Sequence, residues 1–165
     1  MSVSPSPLAS PTAIAAAIAV AVAVVGARAT ELGPWYRELR KPRWQPPDWL
    51  FGPAWTTIYV CCVWSVRLAW PAAAASGGRT AYVAAWGLNL AANAWWSVLF
   101  FRRQRPDWAL REVVLLWASI AVLVALSWRL APAAGALLLP YLAWVSFAAV
   151  LNAAIVRRNA PFTGT

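Results

Sequence analysis

The chain has 165 residues, of which 62% are hydrophobic and only 12% are charged, whereas soluble domains carry about 25% charged residues. A soluble domain of this composition would lack the polar side chains to cover its surface, so we expect the lipid bilayer to be its solvent. The net charge of +9 comes from basic residues that lie between apolar runs, which is typical of membrane topology signals and not of a nucleic-acid-binding face.

Five stretches are long and apolar enough to span a membrane as helices, which takes about 20 residues each. In chain order, the predicted helices cover residues 12–29, 51–70, 80–101, 108–130 and 133–156. They form one five-helix domain (12–159) between an N-terminal tail (1–11) and a C-terminal tail (160–165). The first stretch has an alternative interpretation as a cleaved signal peptide, because residues 27–29 resemble a cleavage site. Against this, residues 2–11 hold no lysine or arginine.

The connection between the first two predicted helices is long, basic and rich in proline and tryptophan. Its segment KPRWQPPDWLFGPAW (41–55) holds four prolines and three tryptophans, and the prolines prevent a continuous helix because each lacks an amide donor. Of the fourteen basic residues, eleven fall on the side of this loop and three on the opposite side. The positive-inside rule therefore predicts that the loop and the C-terminus face the cytoplasm and that the N-terminus faces away from it.

Aromatic and amide side chains form stripes on three of the predicted helices. In the third helix, one face carries at helical spacing Tyr82, Trp86, Asn89, Asn93 and Trp96. Asparagines in hydrocarbon are costly unless they meet partners, so this face should point into the bundle. The second helix carries a similar stripe of Trp55, Tyr59 and Cys62, and the fifth carries Tyr141, Trp144, Ala148 and Asn152.

The stripes allow two interpretations. Interhelical packing explains the asparagines, and it explains the small residues Gly87 and Ala91, which allow helices to approach closely. A small-molecule cavity explains the bulky indoles better, because apolar walls with a few convergent polar groups are the usual lining of such a site. The residues alone leave both interpretations open.

Conventional catalysis and metal binding find no support in the sequence. The chain has no histidine, so its serines lack the base of a hydroxyl-nucleophile triad and a metal site lacks its commonest ligand. Glu112 is the only carboxylate at a membrane boundary, and we expect it to pair with the adjacent Arg111. We find no inverted repeat and no charge in the middle of a predicted helix, so the sequence gives no sign of a channel or a transporter.

Four runs of the sequence carry most of its tryptophan and asparagine residues: WYRELRKPRWQPPDWLFGPAWTTIY (35–59), LAANAWWSVLFF (90–101), DWALREVVLLW (107–117) and LLPYLAWVSFAAVLNAAIVRRN (138–159). In this order and spacing they resemble the TspO/MBR family of tryptophan-rich sensory proteins and translocator proteins. The resemblance covers residues 12–159. It implies an all-α bundle of five transmembrane helices, usually a homodimer, whose cavity binds porphyrins such as protoporphyrin IX. It also implies that the long first loop caps the cavity as a lid, with Arg40, Lys41, Trp44, Pro46 and Pro47 as its residues.

The resemblance assigns roles to individual positions. By motif position it places at the ligand Trp55, Asn93, Trp96, Trp108, Trp144 and Ala148. The aromatic and amide stripes add four further expected ligand-binding residues, Tyr59, Trp86, Asn89 and Tyr141. Trp55 and Trp144 match the tryptophans that the family is proposed to use in light-dependent porphyrin breakdown, and they would be the catalytic pair of such a reaction. Ala153 stands where the sterol-recognition pattern of mitochondrial members has a tyrosine, which lowers the expectation of sterol binding and favours a bacterial-type member.

From these features we expect a tetrapyrrole-binding membrane protein that acts as a sensor, regulator or scavenger of porphyrins in a stress response. Porphyrin degradation in the same cavity is one alternative, and transport of tetrapyrroles or sterols is another. We expect no required cofactor, no metal and no nucleic-acid partner, and we expect a homodimer with Gly87 and Ala91 at its interface. Without histidine, the cavity should bind metal-free porphyrin at least as well as haem. The expected location is the bacterial inner membrane, with the outer membrane as the alternative.

Overall fold

A computed structural model describes residues 33–162, and within this range the chain is helical and contains no β-strand. The helices are α1 (Pro34–Glu38), α2 (Phe51–Ala75), α3 (Arg79–Ser97), α4 (Pro106–Leu130), α5 (Pro132–Ala136) and α6 (Leu139–Asn159). A 3-10 turn (Asp48–Leu50) precedes α2, and a π-helical turn (Val98–Arg102) extends α3. The predicted all-α class is therefore confirmed. The predicted helix 12–29, the tail 1–11 and the signal-peptide alternative lie outside the described residues.

Three described stretches are long and apolar enough to cross a membrane: Asp48–Ala75, Pro106–Leu130 and Pro132–Asn159. Helix α3 is not one of them, since Asn89 and Asn93 interrupt its apolar run. The count of five transmembrane helices therefore stays a prediction. Within the described part, α4 is central, because it packs against α3 on one side and α6 on another, while α2 contacts α4, α5 and the start of α3.

Helix α2 continues to Ala75, past the predicted end at residue 70, although Pro71 lies within it. A proline removes one amide donor from a helix and usually ends or kinks it. Here the turn that contains Pro71 also places Ala69 and Ala73 in a fully buried cluster with Tyr82 and Ala134. Packing of these small residues against Tyr82 and Ala134 favours a helix that continues through Pro71.

The last predicted helix, 133–156, is divided in the structure into α5 and α6. Helix α5 folds back against the end of α4, and a Cβ atom at Gly135 would lie 2.7 Å from Cε3 and 2.8 Å from Cα of Trp128. Only glycine fits so close to a neighbouring backbone. We call this bend, formed by α5 and the start of α6, the elbow. The hydroxyl of Ser65 on α2 donates to the carbonyl of Ala134 at 2.8 Å and so attaches the elbow to the rest of the bundle. Pro140 occupies the first turn of α6, where its missing amide donor is tolerated.

Three buried clusters follow one another along the bundle. The first, at the end that carries the loop, includes Tyr36, Leu39, Phe100 and Ile155. The second fills the centre between α2, α3, α4 and α6, and the third packs the elbow end. We refer to the two ends as the loop end and the elbow end. The predicted aromatic stripes lie around the central cluster, which Trp55, Trp86, Trp96 and Trp144 contact from its edges.

Candidate functional site

The inner polar cluster consists of Asn89, Asn93, Ser119 and Tyr141, all of which are buried. The Nδ2 of Asn93 donates to the phenol oxygen of Tyr141 at 3.1 Å, and that phenol donates to Oδ1 of Asn89 at 3.4 Å. The Nδ2 of Asn89 then donates to Oγ of Ser119 at 2.9 Å, and Ser119 donates to the carbonyl of Leu116 at 2.7 Å. The stripe on α3 thus faces inward as predicted, and its two asparagines meet polar partners on α4 and α6.

The aromatic mouth consists of Trp44, Phe51, Trp55, Trp144 and Phe147 at the loop end. Edge-to-face contact joins Phe51 to Trp144 with ring centroids 5.5 Å apart, and Trp144 lies 5.8 Å from Phe147. Trp44, which comes from the loop, meets Phe147 edge-on with ring centroids 5.8 Å apart. These four rings connect the loop, the start of α2 and α6 through ring contacts.

Trp55 links the aromatic mouth to the inner polar cluster. Its ring stacks on Tyr59 at 5.5 Å with an interplanar angle of 28°, and it meets Tyr141 edge-on at 6.1 Å. Three of the predicted ligand-binding residues, Trp55, Tyr59 and Tyr141, are therefore joined by ring contacts. A fourth, Trp144, packs against the same central cluster as Trp55. Ring stacking of this kind adds about 0.5–1.5 kcal/mol for each pair beyond the buried area.

The indoles of Trp86 and Trp96 are the remaining aromatic members of the α3 stripe. Trp86 meets Tyr82 edge-on at 6.4 Å, and Trp96 stacks on Phe100 at 5.1 Å. The Nε1 atoms of both tryptophans are buried, and neither has a hydrogen-bond partner within the described part of the chain. Buried indole N–H groups usually find an acceptor, so these two donors set the α3 indoles apart from the satisfied asparagines beside them.

The predicted lid lies across the loop end and is attached to α6. The backbone amide of Arg40 donates to Oδ1 of Asn159 at 2.8 Å, and Nδ2 of Asn159 donates back to the carbonyl of Arg40 at 3.0 Å. The Nζ of Lys41 lies 3.6 Å from the ring centroid of Tyr36. Pro46 and Pro47 lead into the 3-10 turn, in which the amide of Leu50 donates to the carbonyl of Pro47 at 2.9 Å.

Tyr36 anchors the lid from below. Gln45 donates to its phenol oxygen at 3.3 Å, and its ring lies 5.8 Å from that of Phe101. Burial, together with the nearby negative charge of Asp48, raises the pKa of Tyr36 to about 12. The phenol therefore stays neutral at physiological pH and accepts the amide hydrogen bond.

Two predicted ligand-binding residues lie apart from the others or make no specific contact. Trp108 sits at the start of α4 with 45% of its surface exposed, and the guanidinium of Arg105 lies 4.2 Å from its ring centroid. No ring contact joins Trp108 to another aromatic side chain among the described residues. Ala148 is half-buried on α6, one helical turn beyond Trp144.

The predicted ion pair between Arg111 and Glu112 is wrong. Within residues 33–162 the only ion pair joins Arg105 to Asp107, whereas both carboxyl oxygens of Glu112 are buried without a hydrogen-bond partner. The contacts of Tyr82 with Ser127 and of Asn89 with Ser119 fix the antiparallel register of α3 and α4. The same register places Glu112 level with Trp96. Arg111 points outward and is exposed, since adjacent residues on a helix do not share a face.

Two contributors to this region were not found from the sequence, and the contacts of a third were not predicted. Phe147 and Asn159 receive the lid, and Asn152 lies against the start of α4. With its amide oriented to suit its neighbours, Asn152 donates to the carbonyl of Pro106 at 3.0 Å and accepts from the amide of Leu110 at 3.1 Å. Asn152 was part of a predicted stripe, but its partner was not predictable. Among the described residues no three His, Cys, Asp or Glu side chains lie together as metal ligands, and Cys61 and Cys62 are free thiols.

Comparison with known proteins identifies the relatives of the chain. The model of the TspO/MBR family matches residues 13–158. The chain is 35% identical over 129 residues to protein CrtK of Rhodobacter capsulatus, covering 77% of this chain and 79% of that protein. It is 36% identical over 125 residues to the tryptophan-rich protein TspO of Chlorobaculum tepidum, covering 76% and 79%. It is also 36% identical over 134 residues to the human translocator protein, covering 79% and 78%.

Proposed function

The chain belongs to the TspO/MBR family and is a membrane protein, and from this premise we propose that its aromatic mouth binds a tetrapyrrole such as protoporphyrin IX. In this proposal the protein acts as a sensor, regulator or scavenger of porphyrins. The tetrapyrrole is a ligand and not a required cofactor. Since the bacterial and human relatives are about equally similar, its bacterial type stays a prediction.

The proposal is carried by the two unpartnered indole donors. The asparagines and the phenol that surround the central cluster are satisfied by one another, whereas the Nε1 atoms of Trp86 and Trp96 are not. Both indoles contact the same central cluster as Trp55 and Trp144. A flat aromatic ligand with carboxylate groups offers the ring faces and the acceptors that such a lining lacks.

The lid supplies a route by which the ligand enters. Trp44 closes the aromatic mouth through its contact with Phe147, and about half of its surface remains exposed. Displacement of this one ring opens the mouth without breaking any hydrogen bond of the inner polar cluster. Lys41 is held over Tyr36, so among the predicted lid residues the exposed side chain of Arg40 is the freer one to meet a propionate.

Quenching of tryptophan fluorescence by protoporphyrin IX tests the binding proposal. Titration of the detergent-solubilised protein should give strong quenching, and Trp144→Ala should weaken the affinity about tenfold, because a ring stacked on the ligand contributes roughly 1–3 kcal/mol. Trp64→Ala is the matched control, since Trp64 is half-exposed on α2 and has no ring partner among the described residues. Equal affinities in the two variants would remove the aromatic mouth as the site.

Light-dependent degradation of the bound porphyrin is a second candidate function. The observation that favours it is the stack of Trp55 on Tyr59, with Tyr141 at its edge. These three oxidisable rings provide a connected path for an electron that a photo-excited porphyrin withdraws from Trp55. The catalytic assignment of Trp55 and Trp144 belongs to this candidate alone.

Illumination of the protein with protoporphyrin IX in the presence of oxygen tests degradation. The porphyrin absorbance band should bleach faster with the protein than without it, and Trp55→Phe and Trp144→Phe should slow the bleaching. Binding is measured in the same samples, so that slow bleaching is not confused with weak binding. Bleaching of both variants at the wild-type rate would rule out assistance by the protein.

We also propose that the loop end faces the cytoplasm of a bacterial inner membrane and that α3 forms a homodimer interface. Gly87 and Ala91 are exposed, and a Cβ at Gly87 would meet no described atom within 4 Å. Close approach of two helices along such a stripe is typical of membrane dimers. Gly87→Leu should shift a cross-linked dimer to monomer, whereas Ala84→Leu one turn earlier should shift it less.

A further inference from the structure

The loop end of the bundle carries exposed arginines that come from three separate segments. Arg40 and Arg43 belong to the lid, Arg102 and Arg103 follow α3, and Arg157 and Arg158 end α6. None of the six has a carboxylate within 4 Å, since the only ion pair of the described residues joins Arg105 to Asp107. We call these six residues the arginine rim.

Specific contacts hold the three segments of the rim together. Asn159, which directly follows Arg158, pairs with the backbone of Arg40 through two hydrogen bonds of 2.8 and 3.0 Å. Helix α1, which precedes the lid, joins it to the turn after α3, because Trp35 lies 6.1 Å from Phe100 and Tyr36 lies 5.8 Å from Phe101. The fold therefore keeps like charges on one face, although they repel one another.

The chemistry of the rim points to phosphate groups. Lys41 is the only lysine of the chain, so every member of the rim is an arginine. The planar guanidinium group binds a phosphate through two parallel hydrogen bonds, whereas an ammonium group acts as a point charge. A surface that collects only guanidinium groups, without carboxylates to neutralise them, is suited to several phosphates at once.

The depth of the rim favours a lipid as the source of the phosphate. At the same end, Trp44, Trp49 and Trp108 are exposed by 48%, 70% and 45%. Tryptophans at the ends of membrane-spanning helices and in the adjoining loops are enriched at the level of the lipid headgroups. The arginine rim is therefore at the depth of the lipid phosphates and not in free solution.

The elbow end differs in a way that sharpens this interpretation. There Arg67 lies 5.3 Å from the ring centroid of Trp64, and Arg79 lies 5.1 Å from that of Trp70. Their guanidinium groups thus have aromatic partners within the protein. The rim arginines have no such ring partner among the described contacts.

We propose that the arginine rim binds the headgroups of anionic phospholipids, such as phosphatidylglycerol, in the leaflet that it faces. The binding is electrostatic and multivalent, with each arginine near an anionic surface contributing roughly fivefold in affinity. It adds a lipid-binding surface to the protein that is distinct from the aromatic mouth and shares with the porphyrin proposal only Arg40, whereas the arginines of α6 and of the segment after α3 take no part in that proposal.

Thermal unfolding of the full chain in a mild uncharged detergent tests the proposal, with tryptophan emission as the readout. Added phosphatidylglycerol should raise the unfolding midpoint, whereas the same concentration of phosphatidylcholine should not. In the variant Arg102→Gln/Arg103→Gln/Arg157→Gln/Arg158→Gln, the lipid concentration for half of the effect should rise at least about tenfold. The matched control is Arg67→Gln/Arg79→Gln/Arg129→Gln at the elbow end, which should respond like wild type.

A second arm keeps the test informative if the fourfold variant does not fold. The double variant Arg157→Gln/Arg158→Gln changes only exposed side chains, and it should also need more phosphatidylglycerol than wild type for half of the effect. In the wild-type protein, a high salt concentration should abolish the lipid-induced rise of the unfolding midpoint, because salt screens exposed charges. Equal shifts with phosphatidylcholine, or an unchanged response in the arginine variants, would overturn the proposal. An equal shift with soluble inorganic pyrophosphate would also overturn it, since the rim would then recognise free phosphate compounds and not lipids.

Discussion

The inner polar cluster and the aromatic mouth are neighbours that share the contact of Trp55 with Tyr141, but they hold their side chains by different forces. In the cluster, directional hydrogen bonds link α3 to α4 and α6, and every member is buried. In the mouth, the contacts are ring edges and faces, and Trp44 is half-exposed. Rings can slide or swing aside for a small loss of contact energy, whereas a buried amide cannot leave its partner cheaply. The amides hold the helices together, and the rings are the part that a ligand can displace.

Removal of an amide from the cluster should therefore have the largest effect on stability. Asn89→Ala removes the acceptor of the Tyr141 phenol, the donor to Ser119 and part of the core packing, so we expect unfolding to become easier by about 3 kcal/mol. Unfolding by SDS titration, followed by circular dichroism, measures the change. Ser146→Ala is the control, because it removes the hydrogen bond from Trp117 at an exposed site and should cost well under about 1 kcal/mol. If Asn89→Ala and Ser146→Ala lowered the free energy of unfolding equally, the hydrogen bonds of the inner polar cluster would have no special role in stability.

Glu112 gives the opposite test of the same idea. Its carboxyl oxygens are as buried as the amides of the cluster but have no partner. Burial of an uncompensated charge is unfavourable, so Glu112→Gln should stabilise the protein by about 1–2 kcal/mol. The same substitution at the exposed Glu38 should leave stability unchanged. If Glu112→Gln lost stability and Glu38→Gln did not, the carboxyl group of Glu112 would have a stabilising partner that is not among the described residues.

How much of this contrast was predictable depends on how local the determining interaction is. The spacing of Tyr82, Asn89 and Asn93 predicted one inward face of α3, and all three are buried, because helical periodicity is a local property. The division of the last predicted helix was missed, since it depends on how closely Gly135 approaches Trp128. Proline and glycine in that segment mark a break, but they do not say which distant residue will fill it.

The pairing of side chains was beyond reach for the same reason. A single sequence contains the two asparagines of α3 but nothing that selects Ser119 and Tyr141 as their partners, which are 30 and 48 residues away from Asn89 and Asn93. The hydrogen bonds between Asn159 and the backbone of Arg40, and the ring contact of Trp44 with Phe147, likewise join residues that are far apart in the chain. The adjacency of Arg111 and Glu112 in the chain was misleading, because consecutive residues of a helix point in different directions.

Loss of the ring contact between Trp44 and Phe147 should have a smaller effect, and we expect it in the rate at which protoporphyrin IX dissociates. Trp44→Ala removes the ring that closes the aromatic mouth over Phe147, so bound protoporphyrin IX should dissociate about fivefold faster, as expected for the loss of one ring contact. Stopped-flow recovery of tryptophan emission after dilution measures the rate. Trp49→Ala is the matched control, since Trp49 is 70% exposed and has no aromatic contact among the described residues. Similar rates in both variants would show that Trp44 does not gate the site.

The smallest difference is expected between metal-free and metal-bound tetrapyrrole. The aromatic mouth offers ring faces but no histidine, and the central cluster offers only the buried thiol of Cys62 near Tyr141. Protoporphyrin IX should therefore bind at least as tightly as haem in parallel quenching titrations. Tighter haem binding, accompanied by a ligation band that Cys61→Ala/Cys62→Ala removes, would show that a thiolate enters the site.

The pairing of Asn159 with Arg40 also orders events in time. A ribosome makes the lid early and α6 late, and the two partners are 119 residues apart in the chain. Nascent chains fold from the N-terminal side as they emerge, so α2 and α3 can meet while Arg40 still lacks its partner Asn159. Until the end of α6 is made, the loop can rely on its ring contacts with the turn after α3, and the two hydrogen bonds to Asn159 are added last.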